Sequence, residues 1–181
     1  MALILAVKAG WQVTERQLIE CTAAQQGQAI QAIFNQVILH STALYEYQPR
    51  TEADMQRWFA GKAQGGHPVL GCVDAAGQLL GFASYGPFRD KPANRFTLEH
   101  AIYVAEAARG QGVGRLLLQA LIQRATDAGY HTLIAAIDTE NLASIHLHES
   151  AGFELAGTLQ QVAHKFDRWL DLAFYQKLLK P

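Results

Sequence analysis

A glycine-rich turn between two strongly patterned segments constrains this chain more than any other feature. It reads Arg109-Gly110-Gln111-Gly112-Val113-Gly114. An apolar run, Ala101-Ile102-Tyr103-Val104, precedes it. Leu116-Leu117-Leu118-Gln119-Ala120-Leu121-Ile122 follows with helical patterning. The glycines therefore stand at a strand-to-helix turn. Backbone N–H groups at a helix start are free to meet an anion, and the helix dipole adds positive potential there. Glycine lacks a Cβ, so a phosphate can come close and the chain can take a positive φ.

The residues around the glycines narrow the kind of phosphate ligand. A P-loop requires Lys-Ser or Lys-Thr after its last glycine, and Arg115-Leu116 stands here. The dinucleotide fingerprint requires Gly-x-Gly-x-x-Gly, whereas this turn is Gly-x-Gly-x-Gly and falls late in the chain. Arg-x-x-Gly-x-Gly after a strand resembles the pyrophosphate-binding turn of the GNAT superfamily of N-acetyltransferases, which bind acetyl-CoA.

Composition sets the outer bounds. A chain of 181 residues, half of them hydrophobic and 17% charged, suits one soluble domain with a sizeable core. The net charge is −1 and lysine and arginine form no run, so neither nucleic acid nor an anionic membrane is an expected partner. Cys21 and Cys72 lie in apolar runs and read as buried free thiols of a reducing cytoplasm. The segment Met1 to Val7 is apolar but lacks a basic n-region and a cleavage site, so it is not read as a signal peptide. Residues 1–16 form an extension of unassigned role, an extra strand or a start-codon extension, ahead of a domain over 17–181.

Periodicity then orders the elements. Gln17 to Thr22 reads as a strand and Gln28 to His40 as a helix. Thr51-Glu-Ala-Asp54 has the spacing of a capping box, opening a second helix with Met55, Trp58 and Phe59 inward. Pro68–Val73 and Leu79–Tyr85 flank a turn and predict a hairpin. Arg95 to Val104 predicts a long strand. Its Phe96, Leu98, His100, Ile102 and Val104 form one face, and Glu99 stands on the other. A helix over 112–128, an interior strand over Thr132 to Ile137 and a short helix ending at Gly152 follow. Phe153 to Thr158 and Trp169 to Leu178 read as a terminal strand pair. This order argues for an α/β fold in one mixed sheet. The resemblance makes it a GNAT-like, mostly antiparallel twisted sheet flanked by helices.

Acetyl transfer to an amine requires a base, because only the neutral amine attacks. It also requires donors for the tetrahedral oxyanion and, where available, an acid for the departing thiolate. Glu99 is a carboxylate in an otherwise apolar strand; partial burial there would lift its pKa towards the working range. Asn141, Ser144 and His148 recur at three- and four-residue spacing and share one helix face. His148 is the candidate acid, or a partner of Glu99 in proton relay. His146 and His148 are about 200° apart on a helix and lack the i, i+4 zinc spacing, so no metal is expected. Neither cysteine has charged neighbours that would lower its pKa and no Gly-x-Ser-x-Gly elbow exists, which favours direct attack over a covalent intermediate.

The match extends beyond the superfamily turn. Val37 to Tyr47, Tyr85-Gly-Pro-Phe-Arg89, Thr97 to Val104, Leu147 to Phe153 and Lys165 to Asp171 together resemble phosphinothricin and methionine-sulfoximine (methionine sulfone) N-acetyltransferases. The resemblance implies that Ile102, Tyr103 and Val104 hold the acetyl group and pantetheine through main-chain bonds, with the Val104 amide as oxyanion donor. It implies that Arg109, Gly110, Gln111, Gly112, Val113, Gly114 and Arg115 surround the pyrophosphate. Asn141, Ser144 and Ser150 would contact the rest of the cofactor. Glu99 and His148 match the positions of base and acid–base partner. A small amino acid would lie between the Tyr45 loop and the Phe88-Arg89 loop, with Arg89 pairing its α-carboxylate. The Lys165–Leu172 segment resembles one that helps form a homodimer. Acetylation of a protein or peptide, and a non-catalytic acyl-CoA sensor, are the alternative functions.

Overall fold

The computed structural model describes residues 16–179. The expectation for the N-terminal extension lies, Arg16 apart, outside the described residues.

Seven strands form one sheet in the order β1-β2-β3-β4-β5-β7-β6. They are β1 Gln17–Glu20, β2 Val69–Val73, β3 Leu79–Pro87, β4 Thr97–Val104, β5 Thr132–Asp138, β6 Glu154–Lys165 and β7 Arg168–Leu178. Every neighbouring pair is antiparallel except β4 with β5. That parallel step follows from chain economy: the crossover from β4 to β5 is the helix α3, Val113–Asp127.

Helices cover both faces. On one face α1 (Ala23–His40) and α2 (Glu52–Gln64) bury Ile30, Ile33, Phe34, Ile38 and Met55 against Phe82 and Val69. On the other, α3 buries Leu117, Leu118 and Leu121 against Leu98, Leu133 and Ala83. The short helix α4, Leu142–Ser150, follows β5. Cys21 and Cys72 are buried free thiols, and burial pushes the Cys21 thiol up to about 12.

Local chemistry explains the boundaries. The capping box at Thr51 is present in full: Asp54 N–H donates to the threonine side chain and the Asp54 carboxylate accepts from Thr51 N–H. α1 begins five residues before the periodicity suggests, at Ala23, because Thr22 caps it by accepting from Gln25 N–H at 3.3 Å. Its first turn is exposed and so leaves no apolar signature. β6 runs on to Lys165, well past Thr158, although nearly all of it is exposed. Its pairing with β7 shifts register at Leu155/Gly157 and Leu159/Ala163. A tight turn with positive φ at Phe166 and Asp167 closes the pair.

Lys165 ties this hairpin to the helical face. Its ammonium is buried and donates to the carbonyls of Ile38, Ser41 and Leu44 at 2.7, 2.8 and 2.6 Å. Those oxygens end α1 and begin the loop that carries Tyr45. An ammonium has three donors, and all three are used.

Candidate functional site

β4 and β5 are paired only from Thr97 opposite Thr132 to His100 opposite Ala135. β4 nevertheless continues to Val104 and β5 to Asp138. The strands part beyond His100, so the edge of β4 that faces β5 has main-chain groups without a strand partner. Such groups bind whatever presents amides in the manner of a strand. Ile102, Tyr103 and Val104 line a cavity of about 970 Å³ at this gap.

The glycine turn forms another wall of the same cavity. Gly110 and Gly112 have φ of +72° and +83°, values that L side chains rarely adopt. Gly112 is the N-cap of α3, so Val113, Gly114 and Arg115 present the first-turn N–H groups. A Cβ on Gly114 would stand 3.2 Å from Leu147 of α4, so its absence keeps the two helices close. Arg109, Gly110, Gly112, Val113, Gly114 and Arg115 all line the cavity. Gln111 does not. Its side chain turns back to donate to the Ala107 carbonyl at 2.7 Å, and its own amide oxygen accepts from Arg16. Asn141, Ser144 and Ser150 line the cavity from α4. Asn141 also caps α4, accepting from Ser144 N–H at 3.1 Å.

A second cavity, of about 280 Å³, adjoins the first through Thr42, Ile102, Tyr103, Ser144 and His148. Glu99 and Tyr45 both line it. Burial pushes the Glu99 carboxyl above its ordinary value, and no cation pairs with it among the described residues. Burial, and then the charge of Asp138, push the Tyr45 hydroxyl up.

His148 is buried between these two cavities, and its ring meets a second imidazole. His100 Nε2 and His148 Nε2 are 3.0 Å apart. His100 Nδ1 is 2.9 Å from the Ile134 carbonyl, which can only accept, so that nitrogen carries a hydrogen. His148 Nδ1 is 2.7 Å from the Ser144 carbonyl and 3.4 Å from the Ser144 hydroxyl. Two proton arrangements are possible. In the neutral one, the Ser144 hydroxyl donates to His148 Nδ1 and His148 Nε2–H donates to His100, but the bare Nδ1 is then left 2.7 Å from the Ser144 carbonyl, acceptor against acceptor. In the singly charged one, His148 Nδ1–H donates to the Ser144 carbonyl, and one proton lies between the facing Nε2 atoms. Burial pulls both rings towards neutrality: it lowers His100 to about 3, with the His148 charge adding to the fall. The pair therefore holds one extra proton at most.

Phe88 and Arg89 are not brought to this place. They line none of the cavities around Glu99. Phe88 N–H bonds to the Thr97 carbonyl at 3.2 Å, and its ring turns onto Phe174 of β7. Arg89 is exposed, its guanidinium 5.5 Å from the Phe88 ring. The expected enclosure between the Tyr45 loop and the Phe88-Arg89 loop is thus half formed in this chain.

The sequence reading missed four groups that the fold brings to Glu99's surroundings. His100 reads as one more residue of an apolar face. Asp138, 4% exposed, lines the second cavity with an Oδ2 that has no hydrogen-bond partner among the described residues. Arg50 and Lys62 line a third cavity with Glu99. A polar residue on the apolar face of β4 signals the first; the others come from separate elements and leave no shared pattern. Among the described residues, no group of three or more His, Cys, Asp or Glu is arranged to hold a metal ion, and no helix is long and apolar enough to cross a membrane.

The acetyltransferase (GNAT) family model matches residues 34–153. An L-methionine sulfoximine/L-methionine sulfone acetyltransferase of Pseudomonas paraeruginosa is 47% identical over 152 residues, covering 84% of this chain and 88% of its own. A phosphinothricin N-acetyltransferase of Alcaligenes faecalis is 40% identical over 152 residues, covering 83% and 77%. Among solved structures, a GNAT phosphinothricin acetyltransferase from Sinorhizobium meliloti in complex with acetyl-CoA superposes with a TM-score of 0.87. It is 36% identical, with 91% of this chain and 88% of that one covered.

Proposed function

The chain belongs to the GNAT acetyltransferase family, and from that premise we propose that it moves an acetyl group from acetyl-CoA to the α-amine of a small amino acid or analogue. Methionine sulfoximine, methionine sulfone and phosphinothricin represent the substrate type, as they do for its relatives. The observation that carries the reading is the meeting of two cavities at the parting of β4 and β5. One runs to the glycine turn and the other holds an elevated, unpaired Glu99.

Acetyl-CoA supplies the activated acyl group. Main-chain groups of Ile102, Tyr103 and Val104 hold the acyl end, with the Val104 amide at the developing oxyanion. First-turn amides from Val113 to Arg115, with Arg109, Gly110 and Gly112, hold the diphosphate. Asn141, Ser144 and Ser150 contact the pantetheine arm. Glu99 takes the ammonium proton, and the freed amine attacks. Tyr45 closes the substrate side. When the His100–His148 pair carries its one extra proton, that proton passes from His148 Nδ1 through the adjacent Ser144 hydroxyl to the departing thiolate. The second proton shed by the attacking nitrogen as the intermediate collapses restores the pair.

The enzyme works as a cytoplasmic homodimer without nucleic acid, membrane or metal in this reading. Unpaired buried thiols suit a reducing compartment. Leu155, Leu159, Val162 and Trp169 expose an apolar strip on β6 and β7 suited to a second copy. Sedimentation of a Trp169→Glu variant as a monomer, against a dimeric parent, checks the second point.

The deciding measurement is release of free thiol from acetyl-CoA across a panel of amines. Turnover with methionine sulfone or phosphinothricin, above that with peptides, supports the proposal. Turnover confined to peptides, or CoA binding without release on any amine, overturns it.

A further inference from the structure

Glu99 opens onto a third cavity, of about 300 Å³, on the face covered by α1 and α2. This space and the second cavity share Glu99, His100, Ala101 and Tyr103. Two cations, Arg50 and Lys62, line it together with the carboxylate.

Arg50 is held as a fixed instrument. Its backbone N–H donates to Asn35 Oδ1 at 2.7 Å, and its carbonyl accepts from Gln31 and Asn35 at 2.8 and 3.1 Å. Its guanidinium lies 3.7 Å over the Phe34 ring and binds Glu46 through Nε and Nη2. Nη1 remains buried with no hydrogen-bond partner in the described structure. A preordered guanidinium with one nitrogen unsatisfied is an uncommon expense in a folded protein. Lys62 stands nearby, donating to the Tyr85 carbonyl at 2.8 Å, with no other hydrogen bond from its ammonium among the described residues. Burial, and then the charge of Arg50, lower its ammonium to about 8.

We propose that Arg50 and Lys62 form the oxyanion subsite for the free amino-acid substrate, seating an acidic group of the molecule whose amine faces Glu99. The inference rests on the acceptor being an amino acid, as set out above. A zwitterion matches the charges in place: ammonium to Glu99, anion to the cation pair. Arg89 lines none of these cavities. The oxyanion is either the α-carboxylate or, in phosphinothricin, the phosphinate.

The test compares methionine sulfone, which has one anionic group, with phosphinothricin, which has two. Arg50→Met, Lys62→Met and the charge-keeping Lys62→Arg are assayed by thiol release and by calorimetric binding of each amino acid in the presence of CoA. The Met variants raise KM for the amino acid by about tenfold or more, the loss of one charge-assisted bond, while KM for acetyl-CoA holds. Lys62→Arg recovers much of the loss, which a folding defect would not allow. Equal losses on both substrates identify the α-carboxylate; a loss on phosphinothricin alone identifies the phosphinate. Unchanged KM and binding in both Met variants overturn the subsite and leave the proposed activity standing. Binding of amino acid that depends on Arg50 and Lys62, without turnover, overturns the activity and leaves the subsite. A parent protein that neither binds nor acetylates any free amino acid overturns both.

Discussion

His100 Nε2 faces His148 Nε2 at 3.0 Å, buried between β4 and α4. The pair accepts one proton at most, whereas two imidazoles in an unfolded chain accept two. Acid therefore favours the unfolded chain, and the stabilising effect of the neutral pair is lost as pH falls below the ordinary imidazole value. Thermal melts should show Tm falling from pH 7 to pH 5. His100→Asn, which retains a donor for the Ile134 carbonyl, should flatten that slope. An unaltered slope would remove the pair from the acid response.

Glu99 has its carboxyl raised by burial, so two effects of opposite use are expected. Activity should fall on acidification at a pH above the ordinary carboxylate range, because the base must be ionised. Glu99→Gln should lower kcat by about 10²–10⁴ and abolish that acidic limb. Stability should move the other way. A carboxyl raised on folding stabilises the native chain at low pH and loses that contribution as pH rises through its folded value. Glu99→Gln should thus have the higher Tm at pH 7 and a similar Tm near pH 4.

Gly112 tests the phosphate cradle. Its φ of +83° costs an L side chain about 1–2 kcal/mol, and the residue caps α3. Gly112→Ala should lower Tm and raise KM for acetyl-CoA more than KM for the amine. Gly157, open on all sides and not in a positive-φ conformation, is the control; its alanine variant should leave both constants alone.

These expectations trace which parts of the molecule are legible in sequence. The glycine turn, the Thr51 box and the hairpin around Gly77 are local, written by residues that touch their own neighbours. Glu99 stands out because one carboxylate breaks an apolar strand. By contrast, Arg50 and Lys62 reach the site from a loop and a helix whose relation only the packing of Phe34, Trp58 and Phe82 determines. His100 leaves a single mark, one polar residue on an inward face, and a histidine at such a position reads as core. Arg89 shows the converse: a motif identifies a loop, but Phe88 packing on Phe174 decides where it lies.

Lys165 joins the terminal hairpin to the wall of the active cleft, and its removal should be felt in both. Lys165→Met preserves the length of the side chain while leaving the carbonyls of Ile38, Ser41 and Leu44 without their donor. Each buried acceptor so abandoned costs about 1–3 kcal/mol, less what water recovers. A fall in stability of about 3 kcal/mol or more is expected by denaturant titration. The same carbonyls lead into the loop holding Thr42 and Tyr45, both of which line the cavity with Glu99. KM for the amino acid should therefore rise at temperatures where the variant is still folded, with KM for acetyl-CoA changing less. Stability lost with both constants unmoved would confine Lys165 to the scaffold; an unmoved denaturation midpoint would show that its three bonds are replaceable by solvent.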